Sequence, residues 1–103
     1  MKLKLMILDK NIKTSENNDN DSWKAISEKL EEEYLEVQEA ITEANREHIA
    51  EEIFDIVQVA IRALVLLSKE KFSIEQLNRN HNKKLISRGW KEKSIINIFI
   101  KEI

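Results

Sequence analysis

Two pairs of carboxylates are the residues here whose types and spacing could do chemistry. Glu33 and Glu36 stand three apart in LEEEYLEVQEAI, and Glu52 and Asp55 stand three apart in AEEIFDIVQVAI. Where both stretches are helical, each pair shares one helix face. The pairs are also symmetric about residue 44: Glu33 precedes it by as much as Asp55 follows it, and Glu36 by as much as Glu52. In an antiparallel hairpin turning there, each carboxylate lies level with one across the groove, about eight and eleven residues or roughly 12 and 16 Å from the turn at 1.5 Å per residue. Glu33 and Glu52 fall about 60° from the centre of the apolar stripe, at about 100° per residue, with Glu36 and Asp55 further out. That places the group in a half-buried groove between the helices. Four anions meeting there need either raised pKa values or a cation. An all-oxygen donor set, with no Cys and no paired His, suits Mg²⁺ or Mn²⁺ rather than zinc. An EExxE string by itself reads as a solvated face; ExxD at the matching height weighs against that.

The elements that must position these groups follow from periodicity and caps. Trp23, Ile26, Leu30, Tyr34, Val37 and Ile41 recur at three and four, which predicts a helix from about Ser22, with Asp21 or Ser22 as its cap, to about Ala44. Asn45 can end it and cap a second helix from about Arg46 to Ser68, with Ile49, Ile53, Ile56, Ala60, Leu64 and Leu67 on one side. Phe54, Val57, Ile61 and Val65 widen that apolar surface, leaving a polar strip of Glu51, Asp55, Gln58 and Arg62. A helix so apolar is expected to be covered on several sides, part of the cover coming from another subunit. A third helix starts at Ser73 in a capping box, S-I-E-Q, and ends at Gly89. MKLKLMIL alternates enough to predict a short edge strand, while the tail SIINIFIKEI reads equally as strand or helix. The expected division is a segment and polar loop over 1–21, a helical domain over 22–90 and an apolar tail over 91–103.

Composition bounds the rest. One Gly, no Pro and abundant Glu, Lys, Ile and Leu in 103 residues predict an all-α antiparallel bundle near the lower size limit for an independent core, completed by oligomerisation. A net charge of −2 with both signs interspersed offers no basic field for nucleic acid. The absence of Cys rules out disulfides and fits a reducing compartment. No apolar run approaches a membrane span or a signal-peptide core, so a cytoplasmic location is expected.

Glu32-Glu33-Tyr34-Leu35-Glu36 followed by Glu52-Ile53-Phe54-Asp55 resembles the EExxE and ExxD signature of the MazG-like all-α nucleoside triphosphate pyrophosphohydrolases, and the likeness extends from about Trp23 to Trp90. The resemblance implies a helical bundle that forms a homodimer or homotetramer and binds Mg²⁺ through Glu33, Glu36, Glu52 and Asp55. It also implies hydrolysis of a (d)NTP to monophosphate and pyrophosphate. Phe54 stands where many members have Gly before the aspartate. That departure motivates the alternative of a non-catalytic nucleotide- or partner-binding module that keeps the fold. A carboxylate-bridged di-iron bundle wants Glu-x-x-His pairs, and the chain has none.

In the implied chemistry Glu32, next to a ligand but rotated about 100° from it, is the candidate to orient or deprotonate the attacking water. Lys84 and Arg88 lie at i and i+4 in NHNKKLISRGW, similar to a basic segment in some MazG-like proteins, and are candidates to grip a phosphate chain. Trp23 and Trp90 could stack on a base, although Trp23 heads an apolar stripe, a place more often taken by a core or interface residue. His81, on the stripe with Ile74, Leu77 and Leu85, is expected to be a core residue.

Overall fold

The computed structural model describes residues 1–101, and those residues form three helices and no strand. Contacts divide the chain into two units, Met1–Phe72 and Ser73–Ile103.

The first unit is a helical hairpin, α1 (Trp23–Glu43) and α2 (Arg46–Lys69). Ser22 begins α1, its Oγ accepting the Ala25 N–H at 3.1 Å. Ala44, not Asn45, ends it in the left-handed region at φ 56°, with its N–H donating to the Ile41 carbonyl. Asn45 is wholly the cap of α2, its Oδ1 accepting the His48 N–H at 3.1 Å. Two residues therefore turn the chain. The antiparallel pairing shows in contacts across it: His48 Nδ1 meets Glu43 near the turn at 3.0 Å, and Trp23 Nε1 donates to Glu70 at the far end at 2.6 Å.

The buried face of α1 is Ile26, Glu33, Val37 and Ala40, facing Glu52 and Val59 of α2. It is rotated from the expected stripe. Leu30, Tyr34 and Ile41 are exposed, because the hairpin covers only one side of α1. On α2 the expected polar strip is solvated only in part: Glu51 and Asp55 are exposed, whereas Gln58 and Arg62 are half-buried. The N-terminal segment covers them.

That segment is not the expected edge strand. Among the described residues its one ladder-type pairing is an isolated antiparallel bridge, Lys10 with Asn17. Between them Asn11 Oδ1 accepts the N–H groups of Lys13 and Thr14 at 2.9 and 3.2 Å, and Ser15 takes a positive φ of 64°. This is a side-chain-closed turn of the kind Asn favours. Asp21 then clasps Arg62, accepting from Nε at 3.0 Å and from an Nη at 2.6 Å. A bidentate carboxylate–guanidinium pair is among the stronger polar contacts, and it pins the segment to α2.

The second unit holds α3 (Ile74–Ser87). Ser73 Oγ accepts the Gln76 N–H at 3.3 Å, as the capping box predicts. At the other end Gly89, at φ 90°, donates to Ile86 and Trp90 to Leu85, closing the helix in a Schellman motif. The helix itself ends at Ser87, two residues before Gly89. α3 buries no residue fully. His81 is exposed, not a core residue, because only Ile74 and Leu85 on that stripe are even partly covered. Of the apolar tail, residues up to 101 form neither strand nor helix, and its last two lie outside the described residues.

Candidate metal centre

Glu33, Glu36, Glu52 and Asp55 converge: one oxygen from each lies within 4.8 Å of all the others. The hairpin produces this arrangement directly. Three-residue spacing stacks each pair on one face, and the two-residue connection at Ala44 and Asn45 fixes the height at which the faces meet.

The four do not share one environment. Glu33 is 3% exposed and Glu52 9%, deeper than the boundary positions expected for them, whereas Glu36 is half-buried and Asp55 open to solvent. Burial pushes the Glu33 carboxyl above its ordinary value; a hydrogen bond from Lys29 opposes the rise, and the charges of Glu36 and Asp55 add to it. A hydrogen bond with Glu52 does the same for Glu36. One oxygen on each buried glutamate, Oε2 of Glu33 and of Glu52, is buried without a hydrogen-bond partner. Orphaned buried acceptors are rare and costly, and a cation in their midst would satisfy them. The residues present fit a hard divalent ion: four carboxylates, oxygen-only, with one unpartnered buried oxygen on each of Glu33 and Glu52.

Two flanking basic side chains were not among the expected site residues. Lys29 Nζ lies 3.3 Å from both Glu32 and Glu33. His48 Nε2 lies 3.2 Å from Glu52 while Nδ1 meets Glu43. The hydrogen bond to Glu43 holds the His48 pKa above its ordinary value, with Glu52 adding to it. Both flanking residues precede a carboxylate of the cluster by four on its own helix, so the signal was the i,i+4 rule. Without metal they partly offset the carboxylates.

Within the hairpin unit, Glu32, Trp23 and Phe54 lie outside the cluster. Glu32, one residue from Glu33, is more than half exposed and paired with Lys29. Trp23 is held on Glu70 at the open end of the hairpin, about ten residues or roughly 15 Å along α1 from Glu33. Phe54 is 49% exposed and outside the carboxylate group. Lys84 and Arg88 occupy the last turn and C-cap of α3, one helical turn apart.

No helix among the described residues is long and apolar enough to cross a membrane. Comparison with curated proteins and with solved structures finds no match. Residues 21–91 match the MazG nucleotide pyrophosphohydrolase domain, a stretch that contains all four carboxylates and the whole helical hairpin. The chain thus belongs to the MazG nucleotide pyrophosphohydrolase domain family, as its two acidic motifs implied.

Proposed function

We infer that the chain hydrolyses a nucleoside or deoxynucleoside triphosphate at the α–β phosphoanhydride bond, giving the monophosphate and pyrophosphate. The observation that carries this is the convergence of Glu33, Glu36, Glu52 and Asp55 within 4.8 Å, two of them, Glu33 and Glu52, each with a buried oxygen that has no partner. These four residues would hold Mg²⁺, with Mn²⁺ as a substitute. Such an ion, when bound, neutralises phosphate charge and lowers the pKa of a water.

The protein's own contribution is placement. The buried pair, Glu33 and Glu52, fixes the floor of the site, and the more open pair, Glu36 and Asp55, leaves a side for phosphate oxygens to approach. Glu32 is proposed to orient the attacking water once Lys29, which it binds in the structure, turns toward the substrate. Lys84 and Arg88 are proposed to hold the phosphate chain, and Trp23 to stack on the base once released from Glu70. The same reading includes assembly into a homodimer or homotetramer. A hairpin whose buried apolar core is Ile26, Val37, Ala40 and Val59, while Tyr34, Leu35, Ile41, Ile53, Phe54 and Leu64 stay exposed, is consistent with a core completed by further copies.

The test is pyrophosphate release from a panel of (d)NTPs with Mg²⁺, with Mn²⁺ and with EDTA. Metal-dependent release with monophosphate as co-product is expected. Calorimetric Mg²⁺ binding without turnover on any member would replace this reading with a nucleotide-binding module.

A further inference from the structure

His48 links the connector of the hairpin to the carboxylate cluster. It is the third residue of α2, and its backbone N–H is held by the Asn45 cap at 3.1 Å. Its ring faces a carboxylate on each helix. Nδ1 lies 3.0 Å from Oε2 of Glu43, the last residue of α1, and Nε2 lies 3.2 Å from Oε1 of Glu52. Two carboxylates facing two ring nitrogens call for an N–H on each. The side chain is thereby held on both edges and its backbone by the cap, although neither His48 nor Glu43 belongs to the four carboxylates that would hold the ion.

The contact bears on the whole Glu52 carboxylate. Glu52 is 9% exposed, and while Oε1 meets His48, Oε2 is buried without a partner. The last torsion of a glutamate is broad and soft, but its two oxygens share one rigid plane, so a donor holding Oε1 restricts where Oε2 can lie. A carboxylate already held has less freedom to lose when an ion binds. Charge does not oppose this. Four carboxylates exceed a divalent ion by two negative charges, and the Glu43–His48 pair is close to neutral while presenting its donor edge to Glu52. As a tie across the turn alone the pair would matter little, since the His48 side chain is 35% and that of Glu43 47% exposed, and exposed pairs contribute little to stability.

We propose that His48 is a positioning residue for the metal centre: held by Glu43 through Nδ1 and donating through Nε2 to Oε1 of Glu52, it sets the Glu52 carboxylate in the orientation that receives a divalent cation. The assignment rests on the metal-dependent hydrolase reading above.

The experiment measures the Kd of Mg²⁺ by calorimetry, without nucleotide and at one fixed pH, for the wild type, His48→Ala, His48→Gln and His48→Asn. The amide nitrogen of Gln reaches the place of Nε2 and that of Asn the place of Nδ1. Gln therefore restores the donor to Glu52, and Asn only the donor to Glu43. Losing an outer contact of a metal site weakens metal binding about 10–100-fold, and His48→Ala is expected near the lower end because the ring is partly exposed. His48→Gln is expected to recover most of that loss and His48→Asn to stay with His48→Ala. Mg²⁺ affinity unchanged in all three variants, or recovered equally by Asn and Gln, overturns the assignment while leaving the metal site in place. A wild type that binds Mg²⁺ but releases pyrophosphate from no triphosphate removes the hydrolase reading, and the order of the four affinities then decides His48 by itself. A wild type that binds neither Mg²⁺ nor Mn²⁺ overturns both.

Discussion

Replacing Glu33 by Gln should reverse the order of stability of the two proteins depending on whether Mg²⁺ is present. In the metal-free wild type Glu33 is 3% exposed and its Oε2 has no partner. A carboxamide there removes the buried charge that Glu36 and Asp55 repel, and its N–H2 can donate to a neighbouring carboxylate, together worth about 1–3 kcal/mol. The neutral side chain gives up the ion pair with Lys29, whose own side chain is 40% exposed, and such a pair is worth about 0–1 kcal/mol. The balance favours the variant by about 1–2 kcal/mol, and each kcal/mol moves the melting temperature of a domain this size by about 4–8 °C. With Mg²⁺ at a hundredfold excess over Kd the wild type gains about 2.7 kcal/mol, whereas a site short of one charged ligand gains far less. Thermal melts followed by circular dichroism, with EDTA and with Mg²⁺, should therefore cross: the variant higher without metal, the wild type higher with it. A variant that melts lower in both conditions would show that Glu33 is buried for the sake of its pair with Lys29, and the argument from orphaned oxygens would fail.

Other outcomes follow from the same geometry. Glu33 and Glu36 are held above the ordinary carboxylate value of 4.5 and His48 above 6.5. For groups raised on folding, the stabilisation is complete below the unfolded value and is lost as pH climbs through the folded one. The metal-free protein should thus melt progressively lower between about pH 5 and pH 8, and a flat or rising profile would contradict the raised values. Arg62→Met strips a half-buried Asp21 of its bidentate partner and should cost about 2–3 kcal/mol. It should also speed proteolytic cleavage within residues 10–17; an unchanged cleavage rate would mean the segment is held by other contacts. Lys84→Ala and Arg88→Ala should raise KM for triphosphate while leaving the Mg²⁺-induced rise in melting temperature untouched. Kinetics indistinguishable from wild type would remove both from the phosphate site.

The parts of this structure that were legible beforehand are those written locally. Ser22, Asn45 and Ser73 cap helices because their side chains answer nearby N–H groups, and such signals need no knowledge of the rest of the chain. The carboxylate cluster was legible for a related reason, since a two-residue turn makes height along one helix a function of position in the other. The buried face of α1 was not. Hydropathy counts Tyr34 and Ile41 as interior and Glu33 as surface, yet the hairpin covers Glu33 and leaves both apolar residues exposed. The course of the N-terminal segment was hidden too, because it depends on the contact of Asp21 with Arg62, 41 positions apart, and on the Asn11 turn. Neither has a period to detect.

The brevity of the connection at Ala44 and Asn45 has a consequence for how this site can vary. With so little chain between the helices, the rotational phase of α2 against α1 is set covalently rather than left to packing. Each added or deleted residue that propagated into α2 would turn its ligand face by about 100° and carry Glu52 and Asp55 away from Glu33 and Glu36. The length of this connector thus decides whether the four carboxylates meet, although neither of its residues belongs to the cluster. Substitutions can be absorbed there one at a time, but an insertion or deletion cannot without breaking the carboxylate cluster apart.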